Sequence, residues 1–438
     1  MFVSSAASIL LFSFLDNYHY VNSDGIGYYS YLPAIFIDDD LTFNRTVEKY
    51  ADYYNEEPTT YGVCKHDNAL CDEYIGLKPQ ANGTWLDKYP VGVAIFLAPF
   101  FFIADIYVRL TDGMRDGISP EYQIAVGIAG IIWLQFAIFA TYKVLRHRFD
   151  KNISLSVLVF LLGGTNLIHF AINQPSMSHI YSFTFVTLCI YFLDRYLEKP
   201  NLKYLFLIGL SLSVIGLLRN INILVGIIPF ITILLKTPKQ ERIRIFGKMI
   251  LIWGLTFLSV MIPQMAYWKI ATGRFLIYGY PNENFYWLEP HLKDILFNQR
   301  ANGLFFWHPL LLLVIPGIYF WLKSKDKINR VSVFFLVLIT YILSCWWAYW
   351  FGYSFGHRAF TDHYIFFLIP IGYLFQYISK LDRKYIITFA AIVALFILLN
   401  LNQINLYWRG IVASHNNTWE NYKENFANPR VNFKEILD

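Results

Sequence analysis

Charge is scarce in this sequence. Asp, Glu, Lys and Arg make up 15% of its 438 residues, where soluble domains carry about 25%. Hydrophobic residues reach 56% and aromatics 19%, more apolar surface than a soluble core absorbs. Cysteine is also scarce, with four residues. Cys189 and Cys345 lie inside apolar runs and read as small hydrophobes. Cys64 and Cys71 lie in a polar loop, too few for a zinc knuckle with only His66 nearby. A disulfide between them is the expectation if that loop is outside the cytoplasm. P-loop, dinucleotide-binding and G-x-S-x-G patterns are missing, which removes their usual chemistries. The net charge of +5 forms no basic patch interleaved with aromatics, so no nucleic-acid partner is expected.

What the chain does have is length of apolar run. Stretches of about 18–20 residues recur, enough to cross some 30 Å of hydrocarbon, and such spans must be helical to satisfy their own backbone. Eleven segments qualify: 1–16, 121–142, 153–172, 178–196, 202–218, 221–235, 249–269, 304–322, 331–350, 361–378 and 385–403. The first is read as a span rather than a cleaved signal, because no basic stretch precedes it. A twelfth stretch, 90–110, decides the sidedness. If it does not span, the loops 143–151, 195–203, 236–248, 323–330 and 380–384, with nineteen Lys and Arg between them, all face the cytoplasm. The short loops opposite keep only Arg219 and Arg358. The positive-inside rule selects that arrangement. The stretch 90–110, bent by Pro90 and Pro99, then becomes a re-entrant or interfacial helix on the outer face.

The fold expected is all-α: a polytopic transmembrane bundle of about eleven spans with outer-face interfacial helices. Residues 1–403 form the membrane domain, including outer loop 17–88, and 404–438 form an extracytoplasmic tail. The N-terminus is cytoplasmic.

Polar chemistry collects on the outer side. Asp24-Gly25-Ile26-Gly27-Tyr28-Tyr29 puts a carboxylate before an aromatic helix, with glycines that allow close approach; a plain helix cap is the bland alternative. Asp87-Lys88-Tyr89-Pro90 opens the 90–110 helix, and equally suits a membrane-interface anchor. Ser178-His179 starts a span. Arg219-Asn220 lies between two spans, and a guanidinium fits phosphate through its planar fork. His357-Arg358 occupies another outer turn. Ionisable groups at helix mouths are functional candidates, although many such residues only snorkel to the interface. Cations beside carboxylates at a lipid surface suit an anionic headgroup, with a carboxylate left as base.

At these residues the chain resembles the GT-C superfamily of membrane glycosyltransferases, nearest to bacterial relatives of protein O-mannosyltransferases and of the aminoarabinose lipid A transferase. Asp24 with its Tyr-rich sequel looks like the family's carboxylate after the first span. Asp87-Lys88-Tyr89-Pro90 is similar to the acidic-Lys-Pro opening of its second interfacial helix, with Asp for Glu and an inserted Tyr. Ser178-His179 departs from a second family Asp. Gly303–Pro309 and Phe355–Arg358 resemble motifs of uncharacterised bacterial members. The resemblance implies transfer of a sugar from a polyprenyl-phosphate donor to a lipid, glycan or protein acceptor, in a bacterial inner membrane. Asp24 would be catalytic. Lys88, Arg219 and Arg358 would bind the donor phosphate. Asp87, His179, Asn220 and His357 would serve sugar, acceptor or a divalent cation. A transporter or flippase, or a non-catalytic envelope-assembly protein, remains an alternative.

Overall fold

The computed structural model describes residues 19–54, 76–80, 83–280, 283–352, 354–412 and 418–426. The run 1–16 and the pair Cys64 and Cys71 lie outside them. The structure is 73% helical and 2% strand; the strand content is the short hairpin Leu77–Pro79 with Trp85–Asp87. Among the described residues, four helices are long and apolar enough to cross a membrane: Gly92–Leu110, Pro120–Arg146, Lys239–Thr272 and Arg383–Trp408. Shorter apolar helices stand beside them, among them Lys151–Gly164, Leu202–Leu218, Asn329–Ser344 and Ile365–Ile378.

Each of the ten apolar runs from 121 to 403 contains helix, and several are broken near one end. The run 153–172 stops at Gly164 and restarts as Leu167–Ile172. The break is chemically closed. Asn400, from Arg383–Trp408, donates to the carbonyls of Gly163 and Thr165 at 2.9 and 3.1 Å. These carbonyls would otherwise be orphaned at a helix end. Asn166, inside the break, donates to the Phe355 carbonyl and accepts from the Thr361 and Tyr364 hydroxyls. Irregular backbone is thus held by buried polar side chains. The last run differs from expectation at its end: its helix continues past 403 to Trp408.

The helix Gly92–Leu110 packs in an informative way. A Cβ on Gly92 would lie 2.7 Å from the Leu217 carbonyl, so its first turn abuts the C-terminal end of Leu202–Leu218. Further along, Phe96 meets Trp133, Tyr181 and Phe185, and Phe101 meets Tyr122. Asp105 then accepts from the Tyr122 hydroxyl and pairs with Arg115. The helix therefore runs antiparallel alongside the N-terminal half of Pro120–Arg146, and its first turn lies at the bundle end marked by Leu217. That end also holds the start of His179–Glu198, Arg219 and the turn Arg358–His363. The other end carries the basic loops.

Outward faces are apolar. Ile250, Leu251, Leu255, Leu258 and Ile262 on one long helix, and Ile387, Ile392, Leu395 and Leu398 on another, are exposed.

Candidate functional site

The site is assembled from close backbone approaches. A Cβ on Gly25 would sit 2.0 Å from the Ser176 hydroxyl, and one on Gly27 2.4 Å from the Tyr89 ring. Only glycine lets the helix Asp24–Pro33 press against both the 176 turn and the 87–89 turn. Ser176 is fixed by donating to the Tyr20 carbonyl at 2.8 Å. The hairpin delivers Asp87 and Lys88. Asp87 accepts from the Tyr89 N–H at 2.8 Å, and its own N–H donates to the Tyr267 hydroxyl. These bonds close the turn that carries Lys88.

Asp24 pairs with Arg358 at 2.8 Å. Its side chain is 27% exposed, and Arg358 is 13% exposed, so the carboxylate is the accessible member. Burial alone would raise the Asp24 pKa. The charges of Arg358 and Lys88, and a hydrogen bond with Tyr89, outweigh it and hold the carboxyl below the usual range. Lys88 lies 3.7 Å from Glu283 and over the Tyr89 and Tyr280 rings. Lys78 approaches the same Glu283 oxygen, Oε1, at 3.6 Å, and the Trp347 indole N–H donates to Oε2 at 3.0 Å. The segment carrying Glu283 is held in place by backbone bonds: the Tyr286 N–H donates to the Cys345 carbonyl, and the Trp347 N–H donates to the Asn284 carbonyl.

Behind this layer sits a second one. Asp362 is fully buried. It accepts from Asn222 at 2.6 Å, faces His179 Nδ1 at 2.8 Å, and lies 3.5 Å from Arg219 Nε. Arg219 Nη1 is 3.3 and 3.4 Å from the two His179 ring nitrogens. Near-equal distances to both nitrogens place the guanidinium over the ring face rather than along either lone pair. Asn222 also donates to the Ser182 hydroxyl at 2.8 Å. With its Nδ1 engaged by Asp362, His179 keeps a fixed orientation.

The structure thus brings Asp24 and Arg358 into contact, seats Lys88 and Arg219 within their electrostatic reach, and puts His179 beside Arg219. Two expected residues sit elsewhere. Asn220 is exposed, because Arg219 is extended and the following 3-10 turn Asn220–Gly226 turns every third side chain, Asn222 and Val225, inward. Asn222 takes the inner position. His357 is buried between Phe351 and Phe360, with Nε2 bonded to the Tyr349 carbonyl at 2.9 Å. Burial keeps it neutral, with a pKa of about 3, and its bond to the Tyr349 carbonyl braces the Arg358 turn.

Asp362, Asn222, Glu283 and Tyr280 were not foreseen. Asp362 stands one turn after Arg358, a spacing that would have marked it; Glu283 carried no such signal. Among the described residues, no group of three or more His, Cys, Asp or Glu side chains forms a metal-type cluster. Compared with known proteins, the chain matches no family model and no curated sequence.

Proposed function

We propose that the chain is a membrane-embedded glycosyltransferase that moves a sugar from a polyprenyl-phosphate donor to an acceptor hydroxyl at the outer surface of a bacterial inner membrane. The observation that carries this reading is Asp24: an ionised, part-exposed carboxylate paired with Arg358 and within the electrostatic reach of Lys88 and Arg219. Two supports come from the fold. The exposed helix faces are apolar, as lipid contact requires, and the helix breaks lie at the end where the site is, so irregular backbone lines a surface site.

The chemistry balances without a metal step. The acceptor oxygen attacks the anomeric carbon of the donor. The bond from that carbon to the phosphate oxygen breaks, and its electron pair leaves with the phosphate. Asp24 takes the acceptor proton. The phosphate gains negative charge as it leaves, so cations already fixed in place stabilise the transition state more than the ground state. In the resting state Arg358 is paired with Asp24. A bound phosphate would compete for Arg358 and loosen that pair. Asp362 and Asn222 position Arg219 from behind.

The test is transfer from a radiolabelled polyprenyl-phosphate sugar by the purified protein in lipid. Donor-dependent transfer that Asp24→Asn removes supports the proposal. Full transfer by Asp24→Asn removes Asp24 from the mechanism. Uptake of a substrate into proteoliposomes without chemical change would instead make the protein a transporter.

A further inference from the structure

Turn tips that meet water carry Gly, Pro, Asn, Asp or Ser, because the backbone needs them and water does not reward apolar surface. The turn after Phe285 breaks that pattern. The Glu289 N–H donates to the Tyr286 carbonyl at 3.1 Å, which sets Trp287 and Leu288 at the tip. Leu288 is 95% exposed and Trp287 50%. The turn is pinned on both sides. The Tyr286 and His291 N–H groups donate to the Cys345 and Ser344 carbonyls at 2.6 and 2.9 Å. The Tyr341 hydroxyl donates to the Trp287 carbonyl, and the Trp287 ring stacks on Phe285 at 4.9 Å. The fold therefore holds two large apolar side chains outward.

Two features of its position point to lipid. The first is continuity. The helix Asn329–Ser344, whose end the turn is bonded to, exposes Phe334, Val337 and Tyr341, a stripe at helical spacing that leads to Trp287. On Lys239–Thr272, Ile262 and Ile270 are exposed, and Phe275 and Leu276 past its end continue as apolar surface at 56% and 70% exposure. Ile227–Lys236 packs against both helices, so they border one sector of the bundle. The second feature is depth. The sixteen residues of Asn329–Ser344 rise about 24 Å, about 6 Å short of a hydrocarbon layer of roughly 30 Å. That helix starts at the basic loop 323–330, so a turn attached to its far end falls at the outer boundary between acyl chains and headgroups, where Trp concentrates.

We infer that the Trp287–Leu288 turn, together with Phe275 and Leu276, inserts into the outer leaflet of the bilayer and holds one edge of the Asp24 chamber at headgroup level. The edge in question is Glu283, four residues before Trp287, with Lys88 paired to it and lying over the Tyr280 ring. The inference rests on the membrane-embedded reading above and adds a lipid-binding surface outside the helices long enough to span. It gives a lipid-borne substrate a short way in, since the headgroup can reach Lys88 while the tail stays in the leaflet.

The experiment is a spin-label depth measurement by electron paramagnetic resonance, on the full-length protein in phosphatidylcholine–phosphatidylglycerol liposomes. Labels are placed on Leu288→Cys and, separately, Leu276→Cys. The parent protein, carried through the same labelling, supplies the background from the native cysteines. At both sites collisions with lipid-soluble oxygen should outweigh those with a water-soluble nickel chelate, at a depth of about 5–10 Å into the headgroup–acyl boundary. Leu255→Cys, exposed in the middle of Lys239–Thr272, and Lys199→Cys, exposed in a basic loop, calibrate hydrocarbon and water. A Leu255 label in hydrocarbon with the Leu288 label in water overturns the insertion and leaves the membrane reading standing. A Leu255 label in water overturns both. If Leu288→Cys does not reconstitute, the Leu276 label decides by the same comparison.

Discussion

Two arginine–aspartate clusters stand at opposite ends of this bundle, and they are built to opposite ratios. At the basic-loop end, Arg148 is 3% exposed and lies between Asp194 and Asp326, at 2.5 and 2.6 Å. One cation faces two carboxylates. Trp321 and Tyr373 take up remaining capacity on Asp326, and the three loops these residues come from are tied together. At the other end, the four cations Lys78, Lys88, Arg219 and Arg358 stand against the three carboxylates Asp24, Asp362 and Glu283, of which Asp24 is the part-exposed member. The first cluster is saturated, so it has nothing to offer a ligand; it is a clamp. The second keeps cationic capacity and an accessible carboxylate, so it can receive an anion. Identical residue types yield structure in one place and a candidate reaction centre in the other, and the difference is stoichiometry and access.

That contrast can be broken most sharply at Asp24. Asp24→Asn should lower transfer by about 10²–10⁴-fold, the range for loss of a general base, with a thermal melting curve close to wild type. Arg148→Ala should do the reverse. It leaves two buried carboxylates unpaired and should cost about 3–5 kcal/mol of stability, read as a lowered melting temperature in detergent, with Arg148→Lys recovering only part because it cannot bridge both acids. Equal effects on stability from Arg148→Ala and Arg358→Ala would erase the distinction between the clusters.

Arg358→Ala should reduce transfer by about 10²–10³-fold, comparable to deleting one preset donor from a transition-state site, while barely moving the melt. The pH profile sharpens the point. Asp24 has a folded pKa below its ordinary 3.8, so its charged form and the stability of its ion pair are fully present above the unfolded pKa. Both are lost as pH falls through the depressed folded value. Transfer should therefore show no Asp24-dependent decline between pH 5 and 8, and Arg358→Ala should move the acid limb upward. The smallest effects are expected at the rim: Asn220→Ala should leave transfer within about twofold of wild type, whereas Asn222→Ala, which removes a bond to buried Asp362, should cost about tenfold, in line with a hydrogen bond to a charged group.

Much of the helix layout was legible because the helices are written in the sequence as long apolar runs. The runs around Pro120–Arg146, Leu202–Leu218 and Arg383–Trp408 could be located from hydropathy alone. Their interruptions were not legible. The stop at Gly164 depends on Asn400, 236 residues later, which closes the exposed carbonyls. The site was legible in part. Asp24, Lys88, Arg219 and Arg358 stood out as charges beside apolar segments. Asn220 was chosen over Asn222 because neighbours in sequence look equivalent until the backbone turns. Glu283 was missed because a carboxylate in a polar loop has no contrast with its surroundings.

By itself, then, the sequence determined a helical, apolar-faced chain and the few charged residues placed at the mouths of its helices. The tertiary structure alone decided which of those charges meet. Ion pairing depends on approach within a few ångströms, and residues such as His179 and Asp362, 183 positions apart, acquire that proximity only when the helices between them have packed.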